Sequence, residues 1–175
     1  MSSENKRIQS FEEFWPYYLG EHRNATSRRL HFLGTTGWLA SCVGSAITSP
    51  IAFPAAMTAF AGSLVHGVLA GEKDAPRYAN IAVMLGLPSA TSPVMFPAGV
   101  VFAYACAWAG HFGLEKNRPA TFQYPLWSFA ADLRMWSHMV RGQLWSGDPL
   151  EELGLTIQTD APVDEEIEEI PTVSA

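Results

Sequence analysis

His111 sits just inside the end of an unusual run: from Tyr78 to Leu114 the chain holds no Asp, Glu, Lys or Arg. Glu115, Lys116, Asn117 and Arg118 then arrive together, and Pro119 stops the segment. Imidazole suits iron, zinc and copper, and a carboxylate beside several imidazoles suits a non-haem Fe(II) centre with open positions. His111 and Glu115 are four residues apart, so on a helix they share a face. Glu115 then has three possible roles, metal ligand, acceptor for the N–H of a ligating histidine, or ion-pair partner, and the second is the one expected, because ligating histidines usually donate their free N–H to a carboxylate or carbonyl. His22 and His31 are nine apart, which on one helix would point them roughly oppositely, since nine residues make about two and a half turns. The intervening "RNATS" reads instead as a loop ending in a helix start, so both can face one centre. His66 and His138 complete the set. A lone histidine near a helix end is more often a cap than a ligand, and His66 is read that way.

The elements that must carry these residues are helices in a membrane. Residues 30–71 and 78–114 are both free of formal charge. Each is too long for one span, which needs about 20 apolar residues. Each is broken inside by a turn signal, "ITSPIAFP" in the first and "LPSATSPVMFP" in the second. The expected fold is therefore all-α and polytopic, with about four transmembrane helices in two hairpins, 30–48 with 51–71 and 78–92 with 94–114. The third span is short and rich in Gly and Pro. Abundant Gly, Ala and Ser let such helices approach closely. A soluble bundle with Ala-rich buried helices is the competing reading, and it would have to hide both uncharged stretches inside one small protein.

Flanking segments read as interfacial amphipathic helices. "SFEEFWPYYLGEH" opens with a capping box, Ser10 to Glu13, and Pro16 is expected to kink or reset it. "PLWSFAADLRMWSHMVRGQLW" places Leu126, Phe129, Leu133, Trp136 and Val140 on one stripe, interrupted by Asp132, Arg134, His138 and Arg141. With four spans, the cations at 23–29, the loop "EKDAPR" and "EKNRP" fall on one side. The positive-inside rule makes that side, and both termini, cytoplasmic. All five histidines then lie near that interface, and a metal held there would explain why an apolar run ends in an imidazole.

Composition narrows the classes. The chain is 48% hydrophobic and only 16% charged, where soluble domains are nearer about 25% charged. Residues 148–175 hold nine of the 17 acids and none of the 11 bases, so residues 1–147 carry +3 while the whole chain is −6. We expect a membrane-embedded domain over 1–147 and an acidic, disordered tail over 148–175. No basic face alternates with exposed aromatics, which argues against nucleic acid. Cys42 and Cys106 lie in apolar runs without metal-type spacing and imply no disulfide framework. The N-terminus "MSSENKRIQSFEEF" has no apolar core of the kind a cleavable signal needs.

Two segments, "FWPYYLGEHRNATSRRLHFLGTT" and "FAYACAWAGHFGLEKNRPATFQYPLWSFAADLRMW", resemble the small membrane family of 2-hydroxy fatty acid dioxygenases. The likeness runs over roughly residues 10–145, and its paired signatures, one ending in R-x-x-H at His31 and the other G-H-x-x-x-E-K-x-R-P, are specific taken together. The stretch around His66 and the acidic tail lie outside these segments. The resemblance implies Fe(II)-dependent α-oxidation at a membrane: a 2-hydroxy fatty acid reacts with O2 and leaves a fatty acid one carbon shorter. The family's histidines match His22, His31 and His111, and its glutamate matches Glu115. His138 stands where a glutamate is expected, and either is a competent ligand. Arg28 or Arg118 would hold the substrate carboxylate in a bidentate clamp.

Two other classes stay open on the sequence. One is a non-catalytic membrane scaffold with histidines at helix caps. The other is a different metal-dependent lipid enzyme, such as a hydrolase using zinc-bound water. The chain lacks both the G-x-S-x-G and H-E-x-x-H motifs, which disfavours the commoner hydrolases.

Overall fold

The structure, a computed structural model, describes residues 7–72 and 74–157. Among them there are helices and turns and no strand. Seven α-helices follow in order: α1 Phe11–Gly20, α2 Ala25–Thr48, α3 Ala52–Ala70, α4 Tyr78–Thr91, α5 Met95–Trp108, α6 Pro125–Val140 and α7 Pro149–Leu153. A wide π-helical turn, Ala109–Glu115, prolongs α5, and a 3-10 turn covers Ala120–Phe122.

The Ser-Pro turn signals sit where they were expected, with Ser49 and Ser92 closing α2 and α4. Packing does not follow the hairpin connections, however. The intimate pairs are α2 with α5 and α3 with α4, while α2 barely touches α3 and α4 barely touches α5. Small residues explain the first pair. A Cβ on Gly34 would lie 3.0 Å from the Ala103 carbonyl oxygen, and one on Gly99 would collide with the Ser41 side chain. Only glycine lets these two backbones come so close.

Among the described residues two helices are long and apolar enough to cross a membrane, Ala52–Ala70 and Met95–Glu115. Only 22% of each apolar window is buried within the protein. The core helix of a soluble protein would be mostly buried; these turn their apolar side chains outward. Val65 and Leu69 in the first and Val101, Phe102 and Phe112 in the second are all exposed.

Helices α1 and α6 differ from the expectation of separate surface helices. Their apolar faces cover each other, building a core from Phe14, Trp15, Tyr18, Trp127, Met135 and Met139. The face of α6 in that core is Trp127–Ala131–Met135–Met139, not the stripe ending at Val140, which is exposed. Leu126, Phe129 and Leu133 face a second core with Trp38, Phe60 and Phe96. Helix α6 is thus the wall shared by the two cores. Helix α1 runs unbroken through Pro16, and the expected capping box forms in half: Ser10 Oγ accepts the Glu13 N–H at 3.2 Å, while the Glu13 carboxylate accepts the Gln9 N–H at 3.1 Å in place of that of Ser10.

The segment beginning at 148 also differs. Asp148 caps α7 by accepting the Leu150 N–H at 2.9 Å, and Leu150 is buried against the α1–α6 core. The folded body therefore extends past 147; the acidic residues from 158 onward lie outside the described residues.

Candidate metal centre

His22 lies in the loop after α1, His31 in the second turn of α2, and His111 in the π-helical turn. All three are buried, and one ring nitrogen from each lies within 4.8 Å of the others. Their rings meet edge-on, with centroids 4.5 Å apart for His22–His31, 4.7 Å for His22–His111 and 5.2 Å for His31–His111. The turn that carries His111 has the wide geometry frequent at functional sites. Gly110 permits it to pack, since a Cβ there would lie 2.7 Å from Ser27 Oγ.

Each imidazole is held from behind through Nδ1. His22 Nδ1 donates to the Tyr18 carbonyl at 2.6 Å, His31 Nδ1 to Asp132 Oδ1 at 2.7 Å, and His111 Nδ1 to Asn117 Oδ1 at 2.7 Å. These partners assign the proton to Nδ1 and leave each Nε2 with a lone pair. The Nε2 atoms of His22 and His31 are buried without a hydrogen-bond partner among the described residues. Buried polar atoms are rarely left so. Converging unpaired imidazole nitrogens, each oriented by an acceptor on the far side of its ring, are what a metal site requires. Burial, then repulsion from His31 and His111, holds the His22 imidazole well below its ordinary value near 6.5, which keeps it neutral and able to ligate.

Asp132 organises this shell. Oδ1 takes both His31 and the Tyr18 hydroxyl, the latter at 3.2 Å, and Oδ2 takes the Thr35 hydroxyl. Tyr18 therefore supports His22 through its carbonyl and Asp132 through its hydroxyl. Its phenol is pushed well above 10 by burial and by Asp132, so it stays a donor. Asn117 is fixed in turn, because its amide donates to the Glu21 carbonyl and to Glu21 Oε2, both at 2.8 Å.

A cavity of about 140 Å³ begins at Tyr18, His31, His111 and Asp132 and continues between Trp38, Phe60, Met84, Phe96 and Val100. That is well beyond the ~10–15 Å³ needed to seat one water. Its flank on α4 and α5 includes Leu85, Tyr104 and Trp108, each more than 40% exposed.

A comparison against family profiles matches residues 8–144 to the family described as 2-hydroxy-palmitic acid dioxygenase Mpo1-like. The chain belongs to this family. The matched segment contains the three clustered histidines with Tyr18, Asn117 and Asp132, and the family's printed description concerns a dioxygenase of a 2-hydroxy fatty acid. No significant match was found among curated proteins or among solved structures.

The other residues singled out in the sequence occupy different places in this member of the 2-hydroxy-palmitic acid dioxygenase-like family. Glu115 does not touch a histidine; its Oε1 accepts the Asn24 N–H at 2.9 Å, tying the π-helical turn to the start of α2. Arg28 is completely buried and donates to the carbonyls of His22, Arg23, Leu144 and Gly147 at 2.7–2.9 Å, so its guanidinium clamps the His22 loop and does not face the cavity. Arg118 is exposed, its guanidinium 5.1 Å from the Phe122 ring centroid. His138 is not brought to the cluster; it stacks on Trp15 and its Nδ1 bonds Gln143 Oε1 at 2.7 Å. His66 is exposed beside Asn80. Sequence reasoning passed over Asp132, Asn117 and Tyr18. Asp132 did leave a signal, as the one acid between Glu115 and Asp148.

Proposed function

We propose that this protein is a membrane-embedded, Fe(II)-dependent dioxygenase that shortens 2-hydroxy fatty acids by one carbon. The observation that carries the reading is the set of three oriented, converging imidazoles, two of which, His31 and His111, line an apolar cavity. His22, His31 and His111 would hold the iron, with Tyr18, Asp132 and Asn117 fixing their rings. Bound ferrous iron supplies the chemistry that lets O2 react with the 2-hydroxy acid, and three protein ligands leave positions open for it. The overall change balances as RCH(OH)COOH + O2 → RCOOH + CO2 + H2O, so O2 is a sufficient oxidant and no reductant is consumed.

The chain's own groups supply binding and orientation. The apolar walls take the acyl chain and exclude water from the reacting end. Tyr18, Thr35 and His31 commit their protons to Asp132, which leaves the cavity head facing the acid with lone pairs rather than competing donors. The exposed flank between α4 and α5 suits a substrate dissolved in the bilayer. We read α2 to α5 as four membrane passes, with α4 short or tilted: its 14 residues rise only about 21 Å at 1.5 Å each. The positive-inside rule then makes the metal end and both termini cytoplasmic.

Three neutral imidazoles also suit zinc, so metal content is part of the test. Detergent-purified protein is stripped, loaded anaerobically with Fe(II) or Zn(II), and given 2-hydroxypalmitic acid with O2. The expected result is equimolar loss of O2 and acid, and appearance of the acid one carbon shorter, with iron alone. Absence of turnover from the iron form, with zinc in the protein as isolated, would overturn the assignment.

A further inference from the structure

Several hydroxyl groups on these helices turn back on their own backbone. Ser41 bonds the Trp38 carbonyl, Thr58 that of Pro54, Thr91 those of Leu87 and Pro88, and Ser137 that of Arg134. This is the usual refuge of a hydroxyl in apolar surroundings. Two buried hydroxyls depart from it, Ser27, which lies against Gly110 and outside the cavity, and Ser128. Ser128 is 3% exposed, it lines the cavity, and its Oγ has no hydrogen-bond partner among the described residues. A buried hydroxyl left unpaired is unfavourable, and a site that keeps one facing a cavity has a use for it.

Position suggests the use. Ser128 and Asp132 are four apart on α6 and share a face, about 6 Å apart along the axis at 1.5 Å per residue. The polar groups at the metal end are already committed: Tyr18, Thr35 and His31 to Asp132, and His111 to Asn117. Ser128 is the uncommitted buried donor one turn away. A 2-hydroxy acid that turns its hydroxyl and one carboxylate oxygen toward the three histidines has its second carboxylate oxygen left over.

We infer that Ser128 is a substrate-binding residue whose hydroxyl donates to the second carboxylate oxygen of the acid. The inference rests on the proposed substrate class, and binding rather than turnover tests it. Full-length, iron-loaded protein in detergent is titrated anaerobically with 2-hydroxypalmitic acid and, separately, with the corresponding 1,2-diol, which lacks that oxygen. Ser128→Ala removes no native hydrogen bond, so its melting temperature should match the wild type. It should bind the acid about tenfold or more weakly, the range of a hydrogen bond to a charged group. Ser128→Thr, which keeps the hydroxyl, should bind the acid within a few-fold of wild type. Ser128→Ala and wild type should bind the diol equally. Unchanged binding of the acid by Ser128→Ala overturns the assignment, as does an equal loss for acid and diol. Failure of the wild-type protein to bind the acid at all overturns the substrate class itself, and this assignment with it.

Discussion

His31 Nδ1 and Asp132 Oδ1 are 2.7 Å apart although 101 residues separate them in the chain. This one bond joins the start of α2 to the middle of α6 and sets which nitrogen of His31 faces the centre. Asp132→Asn retains size but loses the charge, and it turns into a donor one of the two acceptor oxygens that between them take His31, Tyr18 and Thr35. Metal affinity should fall about 10–100-fold, the usual effect of losing such a partner. Titration of stripped protein with Fe(II) measures it; wild-type affinity would remove Asp132 from the site.

The three clustered histidines should behave alike. His22→Ala, His31→Ala and His111→Ala should each abolish stoichiometric metal binding, because two imidazoles cannot replace the set. His138→Ala and His66→Ala should retain one metal per chain, since neither ring reaches the cluster. Metal analysis of the five purified variants checks this, and loss of metal from His138→Ala would bring that residue into the centre.

Glu115 should prove a tether and not a ligand. Glu115→Gln keeps an oxygen to accept the Asn24 N–H, so metal content should be unchanged. Glu115→Ala leaves that N–H without its partner and should lower stability by about 0.5–1.5 kcal/mol, the net worth of a typical hydrogen bond. Metal loss from Glu115→Gln would place the carboxylate at the ion.

The α2–α5 contact gives a paired test of the glycine-mediated packing. Gly34→Val forces side-chain atoms against the Ala103 backbone and should destabilise by about 1–3 kcal/mol, the range for overpacking. Gly62 meets nothing within 4 Å, and Gly62→Ala should stabilise by up to about 1 kcal/mol through its better helix propensity. Thermal unfolding in detergent distinguishes the two; equal behaviour would mean α2 and α5 are not in close contact.

Metal-free protein should lose stability in mild acid. The His22 pKa is depressed in the fold by burial and by its two neighbours. Between the ordinary value near 6.5 and the lower folded value, the unfolded chain holds a proton that the folded chain does not. The contribution of His22 is therefore fully present above 6.5 and is lost as pH falls toward the folded value. The melting temperature of stripped wild-type protein should drop between about pH 7.5 and about pH 5.5, and His22→Ala should flatten the slope. An identical slope in the variant would show that His22 is not buried in its neutral form.

Much of the helix layout was legible, because charge-free runs and Ser-Pro breaks are local signals. The turns at Ser49 and Ser92 are set by residues that cannot continue a helix, and they needed no tertiary information. The grouping of His22, His31 and His111 was legible only in outline, as three imidazoles expected near one end of the helices. Which of the five histidines meet is not in the periodicity, because it depends on loop paths; the family resemblance pointed to these three but also to His138, which the fold keeps away from them.

By itself the sequence determined the all-helical class, the apolar runs and the candidate ligand types, since each follows from residue chemistry over one or two turns. Tertiary structure alone decided that α2 pairs with α5, that α6 is shared by two cores, and that Asp132 stands behind His31. It also turned Glu115 and Arg28 into braces for the site. The physical reason is the same in each case. A helical stripe records which side is apolar but not which partner will cover it, and a carboxylate or guanidinium takes its role from whatever donor or acceptor the fold brings within 3 Å.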